Sequence, residues 1–142
     1  MRWIWEGVFS LDVPDGWEVR DEGGLIEIVP PDPVGAVHIS VLKRAKPNNV
    51  RDGEATQLAA DFARKRGVSN PQPSEITQSG GRLATIAFQS VEENGTLTWD
   101  VETRVWDGRV LVCSFCHGGQ DVRVRDAALR MLASIQPQGL TG

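Results

Sequence analysis

Over most of this chain apolar and polar residues alternate with the two-residue period of a strand, and the runs are punctuated by dipeptides that supply positive-φ residues. Asp15-Gly16, Gly23-Gly24, Asn94-Gly95 and Asp107-Gly108 each stand between two β-type runs and read as hairpin turns. Gly80-Gly81 plays the same part between Ser74–Gln78 and the run from Leu83 to Val91. Strands are predicted near 8–13, 17–21, 25–29, 36–44, 74–79, 82–91, 96–106 and 109–117. Neighbours joined by tight turns are antiparallel, so the sheet reads as hairpins and a meander, unlike the parallel sheets of nucleotide-binding α/β enzymes.

Two segments switch to the helical period. From Asp52 to Gly67 the apolar positions Ala55, Leu58, Ala59 and Phe62 fall at i, i+3, i+4 and i+7. Asp52 is placed to cap the start, and Arg64, Lys65 and Arg66 complement the helix dipole before Gly67. From Asp121 to Gln136 the stripe is Val124, Ala128, Met131, Leu132 and Ile135, with Asp121 as N-cap and Pro137 as the stop. The tail from about 137 to 142 is expected to fray.

The strands themselves say how they pack. Val110 to Cys116 is almost continuously apolar, which suits a central strand covered on both faces. Leu97, Trp99, Val101, Thr103 and Val105 instead alternate with Thr98, Asp100, Glu102 and Arg104, which puts a polar row on one face of that strand. Pro30, Pro31 and Pro33 exclude their segment from a central ladder. The expectation is one α+β domain spanning 1–142, an antiparallel sheet of seven or eight strands flanked by two main helices.

Composition narrows the function classes. At 142 residues, with 40% hydrophobic and 24% charged residues, the chain has the makeup of a folded domain with one core. A net charge of -4 and the lack of a long Lys/Arg run argue against nucleic acid as partner, because such binding needs a concentrated positive field. The N-terminus meets Glu6 and Gly7 before any sustained apolar run, and no window approaches the roughly 18 apolar residues of a membrane span. The sequence reading is therefore cytoplasmic, without a membrane partner, and the two cysteines are taken as free thiols.

Several phrases resemble a known group. Phe9-Ser10-Leu11-Asp12-Val13-Pro14-Asp15-Gly16-Trp17, the hairpin from Gly24 to Leu42, the mid-chain helix, three long antiparallel strands and a closing helix ending Leu132-Ala133-Ser134-Ile135 are similar to the PsbP-like superfamily. Its small bacterial members include lipoproteins of the LpqN and DcrB type and Eag adaptor chaperones. The resemblance implies a sheet sandwiched by helices and a role in binding another protein rather than in catalysis. It carries over no partner-binding residue.

Candidate chemistry is sparse. Cys113-Ser114-Phe115-Cys116-His117 matches the C-x-x-C-H string of haem attachment, but on a strand positions i and i+3 point to opposite faces. A thioredoxin-like dithiol wants a helix N-terminus, from which His117-Gly118-Gly119-Gln120 separates this one, and the strand split opposes a zinc site shared with His117 and His38, so the cysteines read as core residues and no cofactor or metal is expected. Asp100 and Glu102, at i and i+2, stand on one face roughly 6.8 Å apart, with Arg104 next in the row and His117 at the end of the neighbouring strand. That row reads as a solvated face, or as a polar ligand site if recessed under the loops at 30–35 or 118–121. Trp17 and Trp99 read as core, whereas Trp3, Trp5 and Trp106, near a terminus or a turn, read as an exposed contact surface. No phosphate-binding, zinc-protease or nucleophile-elbow motif occurs. The first reading is a non-enzymatic module that binds another polypeptide through the indoles. The alternative is a small-molecule binder or enzyme using Asp100, Glu102, Arg104 and His117.

Overall fold

A computed structural model of the chain describes residues 1–31, 35–43, 53–78, 81–106, 109–118 and 122–138. In chain order they form β1 (Arg2–Trp5), β2 (Phe9–Asp12), β3 (Glu18–Asp21), β4 (Leu25–Val29), β5 (Gly35–Lys43), α1 (Glu54–Arg64), β6 (Ser74–Gln78), β7 (Gly81–Glu92), β8 (Gly95–Trp106), β9 (Arg109–His117), α2 (Val122–Ala133) and β10 (Gln136–Pro137). Seven strands make one sheet in the order β3-β4-β5-β9-β8-β7-β6, and β1-β2-β10 make a second, three-stranded sheet. Neighbours pair antiparallel throughout. The α+β class, the two helices and the antiparallel sheet are as the sequence pattern predicts.

Turn chemistry explains most of the local pairing. Gly23 and Gly24 sit at φ 62° and 101°, the left-handed conformations demanded by the tight turn between β3 and β4 that the Glu22 N–H closes on the Leu25 carbonyl at 2.8 Å. Asp15-Gly16 also makes its turn, with Trp17 N–H donating to the Pro14 carbonyl at 3.3 Å, yet the strands it joins do not pair. Both edges of β2 are already taken, by β1 on one side and β10 on the other, so β3 pairs with β4 alone. Asp107-Gly108 and residues 79–80 lie outside the described residues, although Trp106↔Arg109 and Gln78↔Gly81 close the pairs these turns connect. Asp52, Asp121 and residues 139–142 lie outside them as well. α1 starts from Gly53, at φ 80°, with no side-chain cap bond.

Of the tail expected to fray, Pro137 and Gln138 fall among the described residues, and both are held. Gln136 and Pro137 pair with Ser10 and Phe9, the Gln138 N–H donates to the Val8 carbonyl at 3.0 Å, and Gln138 Nε2 donates to Ser10 Oγ at 3.1 Å. That ladder and β1 were not legible as strands, one being two residues long and the other lying at the terminus.

The two helices cover opposite faces of the large sheet and opposite halves of it. On one face Ala55 and Ala59 of α1 pack on Ala84 of β7, Val105 of β8 and Val110 of β9, and Thr103 Oγ1 donates to the Ala55 carbonyl at 2.7 Å. On the other, Ala128, Met131 and Leu132 of α2, with Phe9 and Leu11 of the small sheet, close over Ile26, Ile28, Val37, Ile39, Leu111, Cys113 and Phe115. β9 stands in the middle of the order and turns Val110 to α1 and Leu111 to α2, which accounts for its apolar run, broken by Ser114 alone. Because α2 sits over β9 and the strands beyond it toward β4, the same face of β6, β7 and β8 has no helix directly above it.

Candidate functional site

The register turns this uncovered quarter into the wall of a cleft. Ile26, Ile39, Cys113, Glu102, Thr85 and Ser74 form one continuous rung across β4, β5, β9, β8, β7 and β6. The rung is apolar under α2 and becomes polar at Glu102, where the helix ends its cover. The next rung runs Phe115, Asp100, Ala87, and the small Ala87 leaves space beside Asp100. Leu129 and Leu132 of α2 overhang these positions from the side. The result is a cleft of about 430 Å³, lined by Gln72, Ser74, Thr85, Asp100, Glu102 and the two leucines, with Ile86, Ala87 and Val101 completing it.

The polar row is therefore not a solvated face. Asp100 is 7% exposed and Arg104 4%. It is recessed against α2, not under the loops at 30–35 or 118–121, because its partners come from that helix. Arg125 donates from Nε to Asp100 Oδ2 at 3.0 Å and from Nη2 to Oδ1 at 2.9 Å, a two-pronged pair that fixes the carboxylate plane. Arg104 donates from Nε to Glu102 Oε2 at 3.1 Å and from Nη2 to the Leu132 carbonyl at 3.0 Å, so it ties the cleft floor to the last turn of α2. Burial holds the Glu102 carboxyl above its ordinary pKa, outweighing the lowering by Arg104. His117 is buried, stacks on Phe115 with centroids 4.7 Å apart, and brings Nε2 within 3.9 Å of Asp100 Oδ2. The structure thus gathers all four residues of the predicted polar site, Asp100, Glu102, Arg104 and His117, around one helix–sheet junction, with the two carboxylates in the cleft itself.

The other candidates divide. Cys113 and Cys116 are free and fall on opposite faces, as the strand period requires. Burial pushes both thiols up, Cys113 far above the usual thiol range, with neighbouring Glu102 adding to the effect. His38 bonds through Nε2 to Glu27 Oε2 at 2.9 Å on the face away from Cys113. Among the described residues no group of three His, Cys, Asp or Glu side chains stands close enough to hold a metal ion.

The indole surface needs correction. Trp106 is 3% exposed and belongs to the main core. It sits directly opposite Gly81, where a Cβ would lie 2.6 Å from Trp106 Cδ1, so the missing side chain of its partner makes the room for the ring. Trp3 is 38% exposed, and Trp5 stacks between it and buried Phe9 while donating from Nε1 to Asp21 Oδ2 at 3.2 Å. Trp17 is half-buried against the core. Trp99 is half-buried too, but on the α1 face, where it meets Phe62, Phe88 and the Arg66 guanidinium.

Sequence reasoning missed Arg125, Leu129, Leu132 as a cleft wall, Ser74 and Thr85. A signal for the helix residues exists: 125, 129 and 132 follow i, i+4, i+7 beside the core stripe, marking a second, flanking face.

No model of a protein family matches the sequence, and no curated protein is similar enough to count as a relative. Solved structures resemble the fold. A protein from Bacteroides thetaiotaomicron VPI-5482 matches with a TM-score of 0.67 at 18% identity over 99% of this chain, and this chain spans 49% of that one, about half its length. LpqN of Mycobacterium tuberculosis, described as involved in cell envelope biogenesis, matches with a TM-score of 0.60 at 17% identity over 92% of this chain and 83% of its own. At these identities the likeness shows a shared fold. No helix among the described residues is long and apolar enough to cross a membrane.

Proposed function

We propose that this protein is a binding module and that its ligand occupies the cleft between α2 and strands β6 to β8. The observation that carries the reading is the pairing of a polar floor with an apolar overhang: Asp100 and Glu102 lie under Leu129 and Leu132 in about 430 Å³, the size of small-molecule sites in general. Recognition suits this arrangement better than catalysis. Each carboxylate is oriented by an arginine, and the thiols are held in their unreactive protonated form. The fold-level likeness to LpqN supports looking for the ligand at the cell envelope as well as in the cytoplasm, and fractionation of the source cells separates the two.

A fragment screen by amide chemical shifts tests the reading. Ligands of this site move Thr85, Ala87, Leu129 and Leu132 together, and Ala87→Phe, which fills the cleft from an exposed position, abolishes the response while leaving the fold. A screen in which no compound moves these residues, or in which Ala87→Phe binds as wild type does, overturns it. A second reading keeps the exposed Trp3 and Ile4 of β1 as an apolar contact for a partner polypeptide. A partner released by Trp3→Ala/Ile4→Ser but retained by Ala87→Phe would carry that reading instead.

A further inference from the structure

The chemistry of the cleft floor goes further than the presence of a ligand. Ser74, Thr85 and Glu102 stand side by side on three neighbouring strands and face the same cavity. Neighbouring strands are about 4.8 Å apart, so Thr85 and Glu102 stand close to the separation of two acceptors that bond one tetrahedral ammonium at roughly 2.8 Å each, while Ser74, a further strand away, lies along the floor beyond them. The hydroxyl oxygens of Ser74 and Thr85 and the carboxylate of Glu102 can all accept, and an ammonium offers three N–H donors and no acceptor. Above them Leu129 and Leu132 provide the apolar wall along which an alkyl stem would lie.

Resting on the cleft as the ligand site, we propose that it takes a primary ammonium carried on an aliphatic stem, of the lysine side-chain kind, with Glu102 as its counter-charge and Thr85 as a further acceptor.

Two observations support the choice of charge. Arg104, which also donates to the Leu132 carbonyl, engages Glu102 at Oε2, and the same carboxylate lines the cleft, where it presents negative charge to whatever enters. An anion would meet Asp100 and Glu102 together. A divalent metal lacks ligands, since no cluster of three metal-binding side chains occurs among the described residues. The charged and titratable groups around Glu102 are Asp100 and Arg104 on its own strand, Cys113 across on β9, and Arg125 of α2 through Asp100. Arg125 and Arg104 pair with Asp100 and Glu102 in turn, and of the two carboxylates Glu102 is the one whose rung continues into the Thr85 hydroxyl, so it is the one that an incoming cation addresses.

The test is an amide-shift titration of the full 142-residue chain near neutral pH with four probes: n-butylammonium, n-butanol, the blocked tripeptide acetyl-Gly-Lys-Gly-amide and its norleucine counterpart. The proposal expects saturable shifts at Thr85, Glu102, Leu129 and Leu132 with both ammonium probes, at least about tenfold weaker binding of both neutral probes, and a similar loss for butylammonium in Glu102→Gln. Butylammonium binding as tightly as the peptide assigns a free alkylamine. A tighter peptide assigns a lysine of a partner chain. Neutral probes that bind as well as the charged ones, or a Glu102→Gln protein that binds unchanged, overturn the ammonium assignment and leave the cleft reading standing. Ammonium probes that move nothing overturn it too, and the fragment screen then decides separately whether the cleft binds anything. A Glu102→Asp variant, which keeps the charge and folds under the same constraints, retains a measurable preference for the ammonium probes if the charge is what matters.

Discussion

Arg104 is where the cleft floor, the last turn of α2 and the core meet, so replacing it with methionine tests the electrostatic account of the site. The change keeps most of the buried stem and removes the guanidinium of a residue that is 4% exposed. Two groups lose the guanidinium: the Leu132 carbonyl, bonded at 3.0 Å and still accepting from the Ile135 N–H, and Glu102 Oε2, bonded at 3.1 Å. The first loss is a charge-assisted hydrogen bond worth about 1.5–3 kcal/mol. The second strands a largely buried carboxylate, for which breaking a pair costs roughly 3–5 kcal/mol, less whatever Glu102 recovers by taking up a proton. Together they place Arg104→Met at about 3–5 kcal/mol of destabilisation near pH 7. The pH dependence has a definite sign. The Glu102 pKa is raised in the folded protein, so the folded state binds more protons than the unfolded one in the window between the two values. Its contribution is most favourable below the unfolded pKa and is lost as pH rises through the folded pKa. Arg104→Met raises the folded value further, and the variant therefore recovers stability on going from about pH 7 to about pH 5 more than wild type does. Urea unfolding of wild type, Arg104→Met, Glu102→Gln and the double variant at both pH values measures this, with an expected coupling of about 2 kcal/mol at the higher pH. A loss below about 1 kcal/mol, or a pH slope equal to that of wild type, would refute the reasoning.

Three further outcomes check other parts of the structure. Arg125→Ala leaves the Asp100 carboxylate without its two-pronged partner, and because Arg125 itself is 43% exposed the expected loss is about 1–2 kcal/mol in thermal or urea unfolding. Trp106→Ala removes a ring from the core and costs about 3–5 kcal/mol, whereas Trp3→Ala costs less than about 1 kcal/mol; equal costs would show that the two indoles are not divided by burial as described. A thiol reagent labels half-buried Cys116 slowly in the folded protein and reaches Cys113 only on unfolding, which mass spectrometry of labelled peptides reads directly.

Local chemistry made the turns and helices legible. Gly23-Gly24 closes its hairpin with both residues at positive φ, the Asn94-Gly95 hairpin closes with Gly95 at φ 125° as the first residue of β8, and the stripes Ala55, Ala59 and Ala128, Met131, Leu132 become the buried faces of the two helices. Pairing between distant segments was another matter. Asp15-Gly16 carries the same turn signal as Gly23-Gly24, yet its strands part into two sheets because Gln136 and Pro137, more than a hundred residues away, occupy the second edge of β2. Trp106 sits beside a tight turn, where exposure is the ordinary expectation, and is buried because its partner across the ladder is Gly81.

The polar row on β8 failed to announce its burial for a related reason. Alternation of Val101, Thr103 and Val105 with Asp100, Glu102 and Arg104 says that the two faces of the strand differ. It does not say what stands over the polar one. That depends on β5 pairing with β9, which places the apolar rungs of β4, β5 and β9 side by side and draws α2 over them. α2 then lies one strand away from β8, too far to cover it with its apolar stripe but near enough for Arg125 to reach Asp100 and for Arg104 to reach the Leu132 carbonyl. Burial of the polar row and the opening of the cleft thus share one cause, the offset of α2 from β8, and a helix seated directly over β8 would have demanded apolar residues at 100, 102 and 104. The charges at these positions are the residue-level record of that offset. They mark a strand whose face meets α2 through polar side chains and not under its apolar stripe, and Glu102, where the rung passes from apolar to polar, is where the proposed ligand would find both a charge and a wall to lie against.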